Sequence, residues 1–412
     1  MFDSTRDMRH LPFFAELAGL EDSDAAWRAV SAGLVVLRLV DAWIDEGAAV
    51  MEADGWGIRS VRAAIEEIPP GQPARAILTS VVNALADARG GNLEAVAPRL
   101  MAYARLLDLD AKWALAADVY ETVVAHVHPT EESDVAITAH IRLGFTHRAL
   151  GNIERSAAAY DDASRLAVAS GDLVGALRAQ IGRARVAITR GNLPEAERTL
   201  EEAVERAGRS GLDEVRASAL QERAMVAHLR EQYDAAIRFA YEALRDTSDP
   251  INRDRLLADI AGSFYLLGAR SVARDAYLVL EATAQEQYQR WVAAINLMEI
   301  AAADGSTPLF ERYRRQLLEQ PLPPTLQAQL YLHIGEGYLS IGEPDSARPA
   351  LERASSLAER FGYNQLAFTA DARLRALARP THAASMKTTE LPVDLREIAA
   401  EVRERGRDVA LR

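Results

Sequence analysis

The residues of this 412-residue chain that could do chemistry are scattered along it. The tightest histidine pair is His126-Val127-His128, followed by Pro129. At i and i+2 on a helix, two side chains point about 200° apart, so these rings can share a metal only if the helix ends between them. Paired carboxylates at Glu66-Glu67, Glu131-Glu132 and Glu201-Glu202 fall in helix or turn contexts where water solvates them. No Gly-Lys dipeptide occurs, which excludes a phosphate loop, and no Gly-x-Ser-x-Gly elbow, His-Glu-x-x-His helix or glycine-rich dinucleotide turn is present. Cysteine is absent, which removes disulfides, thiolate metal sites and a thiol nucleophile. The expectation is a protein that is not an enzyme and uses neither cofactor nor metal.

The composition narrows the partners. A net charge of −13 lacks the basic footprint of general nucleic-acid binding, so no direct nucleic-acid partner is expected. Nearly all positive charge is arginine, because Lys112 and Lys387 are the only lysines. Hydrophobic content of 49% and charged content of 26% are ordinary for a folded soluble chain. The most apolar run, Ala32 to Val40, is broken by Arg38 and too short to span a bilayer. The N-terminal stretch MFDSTRDMRH is polar and shows no signal-peptide pattern, so the expected location is cytoplasmic, with no membrane partner.

What must position any site is a repeat. One register recurs seven times, at Trp113, Ile153, Leu193, Tyr233, Arg270, Thr307 and Pro344, at intervals of 40, 40, 40, 37, 37 and 37 residues. Three residues past these anchors stand Ala116, Ser156, Ala196, Ala236, Ala273, Phe310 and Ala347. Ten residues past them stand Val123, Ala163, Ala203, Ala243, Leu280, Leu317 and Ala354. A small residue once per unit lets two helices approach closely, and a period near 40 that carries two helices can bury its apolar faces only against neighbouring units. The clearest unit, residues 139–172, has Leu143-Gly144 in a first helix, Gly151-Asn152 at the turn, and Ala157, Tyr160 and Ala163 along the second. Gly191-Asn192 marks the turn of the next, and Gly335, Tyr338, Gly342, Ala347 and Ala354 hold the same offsets in the seventh.

These residues resemble the tetratricopeptide repeat (TPR) family over about Leu93 to Gly362. Units of 37–40 residues are longer than the family's usual ~34, and are similar to those of bacterial peptide-receptor regulators and of the sensor regions of some transcription activators. The sixth unit departs from the pattern, with Phe310 at the usual alanine and Arg314 at the usual aromatic. The resemblance implies an all-α, right-handed superhelical α-solenoid of TPR-like helix pairs, whose first helices (A) line a concave groove. Carried over residue by residue, it places Arg142, Phe145 and Arg148 of repeat two in that groove, then Arg178, Ile181 and Arg185 of repeat three. Repeat four offers Gln221, Glu222, Met225 and His228, and repeat five Arg255, Asp259 and Tyr265. Repeat six offers Asn296 and Glu299, and repeat seven Gln329, His333 and Glu336. Peptide-receptor relatives hold the peptide backbone with an Asn in helix A, and only Asn296 stands at a matching position here. The implied groove is basic in repeats two and three and acidic to neutral in six and seven. The function expected from it is a scaffold or adaptor that binds a protein or peptide, an acidic one by preference; the alternative is a ligand-sensing regulatory protein of a signalling or transcription system.

Flanking segments complete the organisation. Residues 1–92 fit the repeat poorly and read as a diverged helical cap, or a separate dimerisation module, with helices expected over Asp24–Ile44, Trp56–Ile68 and Pro73–Arg89 split by Pro69-Pro70-Gly71. Residues 93–362 hold the seven repeats and 363–379 a capping helix. Residues 380–412 form a polar linker, Pro380 to Glu390, and a short helix whose Leu395, Ile398 and Val402 make an apolar stripe. That tail is expected to dock on repeats six and seven, or in the groove of a second molecule, and so to compete with the partner.

Overall fold

The computed structural model describes residues 9–21, 24–47, 57–88, 93–110, 112–128, 133–320, 322–361, 363–377 and 391–410. The expected linker, Pro380 to Glu390, and the Glu131-Glu132 pair lie outside the described residues. Twenty α-helices and no strand occur among the described residues, and no helix there is long and apolar enough to cross a membrane. The chain divides into two compact units, Met1–Ala203 and Val204–Arg412.

The first unit opens with α1 (Leu11–Leu17), α2 (Ala25–Glu46), α3 (Ile58–Glu66) and α4 (Pro73–Asp87). Then come α5 (Ala97–Leu109), α6 (Trp113–His126), α7 (Ser133–Ala149), α8 (Ile153–Ser170), α9 (Leu173–Thr189) and α10 (Leu193–Arg209), which runs across the division between units. The second unit holds α11 (Asp213–Leu229), α12 (Tyr233–Asp246), α13 (Pro250–Leu266), α14 (Arg270–Thr283), α15 (Gln287–Ala303) and α16 (Thr307–Leu318). It ends with α17 (Pro324–Ser340), α18 (Pro344–Arg360), α19 (Asn364–Leu377) and α20 (Val393–Ala410). The seven B helices begin at Trp113, Ile153, Leu193, Tyr233, Arg270, Thr307 and Pro344, the seven residues of the sequence register. In the first unit the helices from α1 to α9 pack each on the next, and in the second those from α11 to α19 do so. A helices of successive repeats also touch: α5 with α7 and α7 with α9 in the first unit, α11, α13, α15, α17 and α19 in turn in the second. Each unit therefore has a continuous helix-A side.

Small residues create these contacts. The Tyr160 ring of α8 lies over Gly144 of its own repeat and Gly182 of the next, and a methyl group on either glycine would overlap the ring. Ser156, standing where most repeats have alanine, is fully buried and donates its hydroxyl to the Gly144 carbonyl at 2.7 Å. In the sixth repeat Phe310 takes the alanine position and is also fully buried. Gly337 in the following A helix leaves room for its ring, and Tyr338 meets it edge-on at 5.2 Å. Arg314 replaces the usual aromatic by pairing with Glu311 at 2.8 Å, while the Tyr338 hydroxyl donates to the same carboxylate at 2.9 Å. The turn between A and B helices needs a left-handed residue, met by Gly151 (φ 76°) and Gly191 (φ 75°) but by Glu231 (φ 59°) in the fourth repeat.

The C-terminal tail does not sit on repeats six and seven. Helix α20 packs on the B helices α14 and α12, burying Leu395, Ile398, Ala399 and Val402 in the main apolar cluster of the second unit. Asp394 accepts from Arg238 at 2.5 Å, and Arg403 donates to Ser271 at 3.1 Å. An apolar stripe lowers its free energy by leaving water for another apolar surface. The A helices of repeats six and seven offer charged groups there instead, so the expected seat is corrected.

One anchor holds the N-terminal segment. His10, 5% exposed, lies just before α1. Its Nδ1 is 2.6 Å from Asp118 of α6 and its Nε2 3.2 Å from Asp41 of α2. Burial alone would lower the imidazole pKa, but the two carboxylates outweigh it and raise the value to about 9.

Three outcomes follow from these contacts. Gly182→Ala should lower stability by about 1–3 kcal/mol in denaturant titration by overpacking Tyr160, and a second change, Tyr160→Leu, should recover part of the loss. Glu231→Gly should raise stability by about 1 kcal/mol, since glycine removes the left-handed Cβ clash at the cost of some unfolded-state entropy. The His10 contribution, at most about 3 kcal/mol, should be complete below pH 6.5 and disappear as pH rises through about 9. Thermal melts across that window should slope downward in the wild type, and His10→Gln should flatten the slope.

Candidate functional site

On the helix-A side of the first unit, α7 carries Arg142 and Arg148, and the adjacent α9 carries Arg178 and Arg185. The Asp172 side chain starts α9 by accepting from the Gly175 amide at 2.9 Å, which sets the helix and with it Arg178 and Arg185. Arg142, Phe145 and Arg148 follow at i, i+3 and i+6 on α7, a spacing that keeps them on one flank. The Arg148 guanidinium stacks 5.6 Å above the Phe145 ring, and its Nε is buried with no hydrogen-bond partner. Arg142 faces the buried Asp108 carboxyl of α5, whose Oδ2 accepts from the Tyr120 hydroxyl at 2.8 Å. Burial pushes Asp108 above the usual carboxylate range, and Tyr120, Arg142 and Arg105 offset only part of that. Arg185 is half-buried and Arg178 exposed, whereas Ile181 turns into the core at 3% exposure. The two adjacent helices thus carry four arginines, one of them stacked on Phe145.

The helix-A side of the second unit is built differently. His228 meets Tyr233 edge-on at 5.5 Å, and burial lowers its pKa, which favours the neutral ring. Asn296 donates its amide to the Val292 carbonyl of its own helix at 2.8 Å, so one of its donors is already spent. Asp259 accepts from Gln221 at 3.3 Å, and burial pushes its carboxyl up to about 6. Glu299 of α15 and His333 and Glu336 of α17 converge: His333 Nδ1 is 2.8 Å from Glu299 Oε2 and 3.8 Å from Glu336 Oε2. The 2.8 Å contact is an ion pair, and His333 Nδ1 is buried. Arg373 of α19 donates to Glu336 Oε1 at 2.7 Å, and the Tyr265 hydroxyl bonds Glu299. Burial pushes the Glu299 carboxyl up, yet His333 and Tyr265 outweigh it and hold it below its usual range.

Sequence reasoning named Glu299, His333 and Glu336 but missed their union and missed Arg373. The signal was present: Glu299, Glu336 and Arg373 are successive members of one 37-residue series. Other candidates stay apart. Helix α6 ends at His126, whose Nδ1 contacts the Thr122 carbonyl at 2.9 Å, so His126 and His128 do not share a helix. Glu202 pairs with Arg198 at 2.6 Å. Among the described residues, the one group with three metal-type donor atoms within 4.8 Å of one another is Glu299, His333 and Glu336.

With this geometry in hand, the comparisons place the fold. Residues 134–209 match the tetratricopeptide repeat family. No curated protein matches the sequence. Among solved structures, the Rap conjugation gene regulator of the plasmid pLS20, in complex with the Phr* peptide, aligns with a TM-score of 0.53 at 14% identity, covering 84% of this chain and 98% of that one. The apo quorum sensor NprR from B. thuringiensis aligns at 0.47 and 14% identity over 83% and 90% of the two chains. A Rap protein complexed with Competence and Sporulation Factor aligns at 0.45 and 13% over 92% and 100%. Helix pairs keyed by one small-residue register, a direct family match at repeats two and three, and a neighbour of like fold along most of the length converge: residues 134–209 carry tetratricopeptide repeats, and the chain has an all-α solenoid fold.

Proposed function

We propose that the chain is a non-enzymatic binding module that captures an acidic peptide or protein segment on the helix-A side of α7 and α9. The observation that carries this reading is Arg148, stacked on Phe145 with a buried Nε that has no partner. A buried polar donor left unmade costs free energy, and a carboxylate of a bound segment would remove that cost with a charge-assisted bond. Arg142, Arg178 and Arg185 supply further positive charge beside it, a local reversal of sign on a chain of net −13. The peptide carried by the pLS20 Rap regulator supports a short segment as ligand. That neighbour is a gene regulator, which favours as second reading a ligand-sensing regulatory role in the cytoplasm, with output through a partner protein.

The C-terminal tail has no place in this reading as a competitor, because α20 lies on B helices. Screening an array of Asp- and Glu-rich peptides by fluorescence anisotropy tests the proposal. Arg148→Gln with Arg178→Gln should weaken the best binder about tenfold or more while leaving the melting temperature nearly unchanged. Affinity should fall as salt rises, and truncation after residue 377 should leave it unaltered. Binding that ignores both the arginines and salt would move the site elsewhere.

A further inference from the structure

Glu299, His333 and Glu336 meet on adjacent A helices with one donor atom from each lying within 4.8 Å of the others. His333 and Glu336 stand one turn apart on α17, and Glu299 faces them from α15. The donor separations from His333 Nδ1, 2.8 and 3.8 Å, bracket the roughly 3.3 Å between ligands of a tetrahedral zinc with bonds of about 2.0–2.1 Å. His333 Nδ1 is buried and lies near both carboxylates. Each carboxylate is held from behind by an outer donor, Glu336 Oε1 by Arg373 at 2.7 Å and Glu299 by the Tyr265 hydroxyl. Outer donors of this kind orient metal-ligating carboxylates. The three side chains are 21–25% exposed, which leaves an approach for solvent or a further ligand.

We propose that Glu299, His333 and Glu336 form a binding site for one divalent first-row transition metal, of the zinc class, on the helix-A side of the second unit. One imidazole nitrogen with two carboxylate oxygens suits zinc, manganese or iron(II), whereas calcium and magnesium take oxygen donors throughout. Three protein ligands leave at least one coordination position open, for water or for a carboxylate or carbonyl of a bound partner. Binding requires the neutral ring, so the metal replaces any proton His333 carries, and that proton leaves to solvent. The site is independent of the arginine patch on α7 and α9, and its test requires no peptide.

The experiment is titration of the full chain, dialysed against chelator, with Zn2+ by calorimetry and with Co2+ by visible absorption. The expected result is one ion per chain, with affinity lowered about tenfold or more by Glu299→Gln and by His333→Gln, both checked for unchanged helicity by circular dichroism. Should His333→Gln fail to fold, X-ray absorption of the zinc-loaded wild type decides instead: one imidazole among oxygen donors supports the site. Failure of the wild type to take up Zn2+ at millimolar concentration overturns it, leaving a closed ion-pair cluster only. Uptake that is equal in wild type and both variants, or an absorption spectrum without imidazole, also overturns it.

Discussion

Each repeat rests on how closely its two helices, and the next, can approach. Tyr160 shows the constraint most directly: its ring is fully buried where Gly144 and Gly182 present bare backbone. The same logic explains Ala196, Ala236, Ala273 and Ala347, all buried at the B-helix position that faces its partner. The sixth repeat shows that the constraint is on the pair, not on the residue. Phe310 is bulky where others are small, and the glycine has moved across the contact to position 337. Close-packed interiors tolerate such exchanges when the total volume is kept.

Packing leaves the helix-A sides free to differ in charge chemistry. In the first unit α7 and α9 carry arginines, Arg148 stacked on Phe145 and Arg142 near the buried Asp108 carboxyl. In the second, carboxylates dominate, and they are tied down: Glu299 by His333 and Tyr265, Glu336 by Arg373, Asp259 by Gln221. The two helix-A sides thus differ in charge without any change in the helical core beneath them.

The helix pairs were readable because their signal is redundant: seven anchors carry it, and a departure at Thr307 does not obscure its neighbours. The resemblance also placed Arg142, Arg148, Glu299 and His333 on A helices, since helical geometry turns a position number into a direction. What the sequence hid were contacts between residues with no common period. His10 meets Asp41 and Asp118 across 31 and 108 residues, and nothing local marks that union. The seat of α20 was misjudged because an apolar stripe specifies that it must be covered, not which surface covers it. The bond from the Asn296 amide to the Val292 carbonyl of its own helix is likewise unmarked in the repeat pattern.

The lengths of the helices carry one more consequence. Helices α7, α9, α11, α13, α15 and α17 each have 17 residues. The B helices vary, from 18 in α8 to 14 in α12 and α14 and 12 in α16. The three residues by which the period shortens are thus taken from the B helices and their turns, and the A helices stay about 26 Å long. Rods of equal length set side by side behave like the columns of a grid. In the second unit Glu299, Glu336 and Arg373 occupy one row of it, one column each. A ligand lying along such a row would read one side chain per helix, so its preference would be rewritten a single repeat at a time while the packing beneath remained undisturbed.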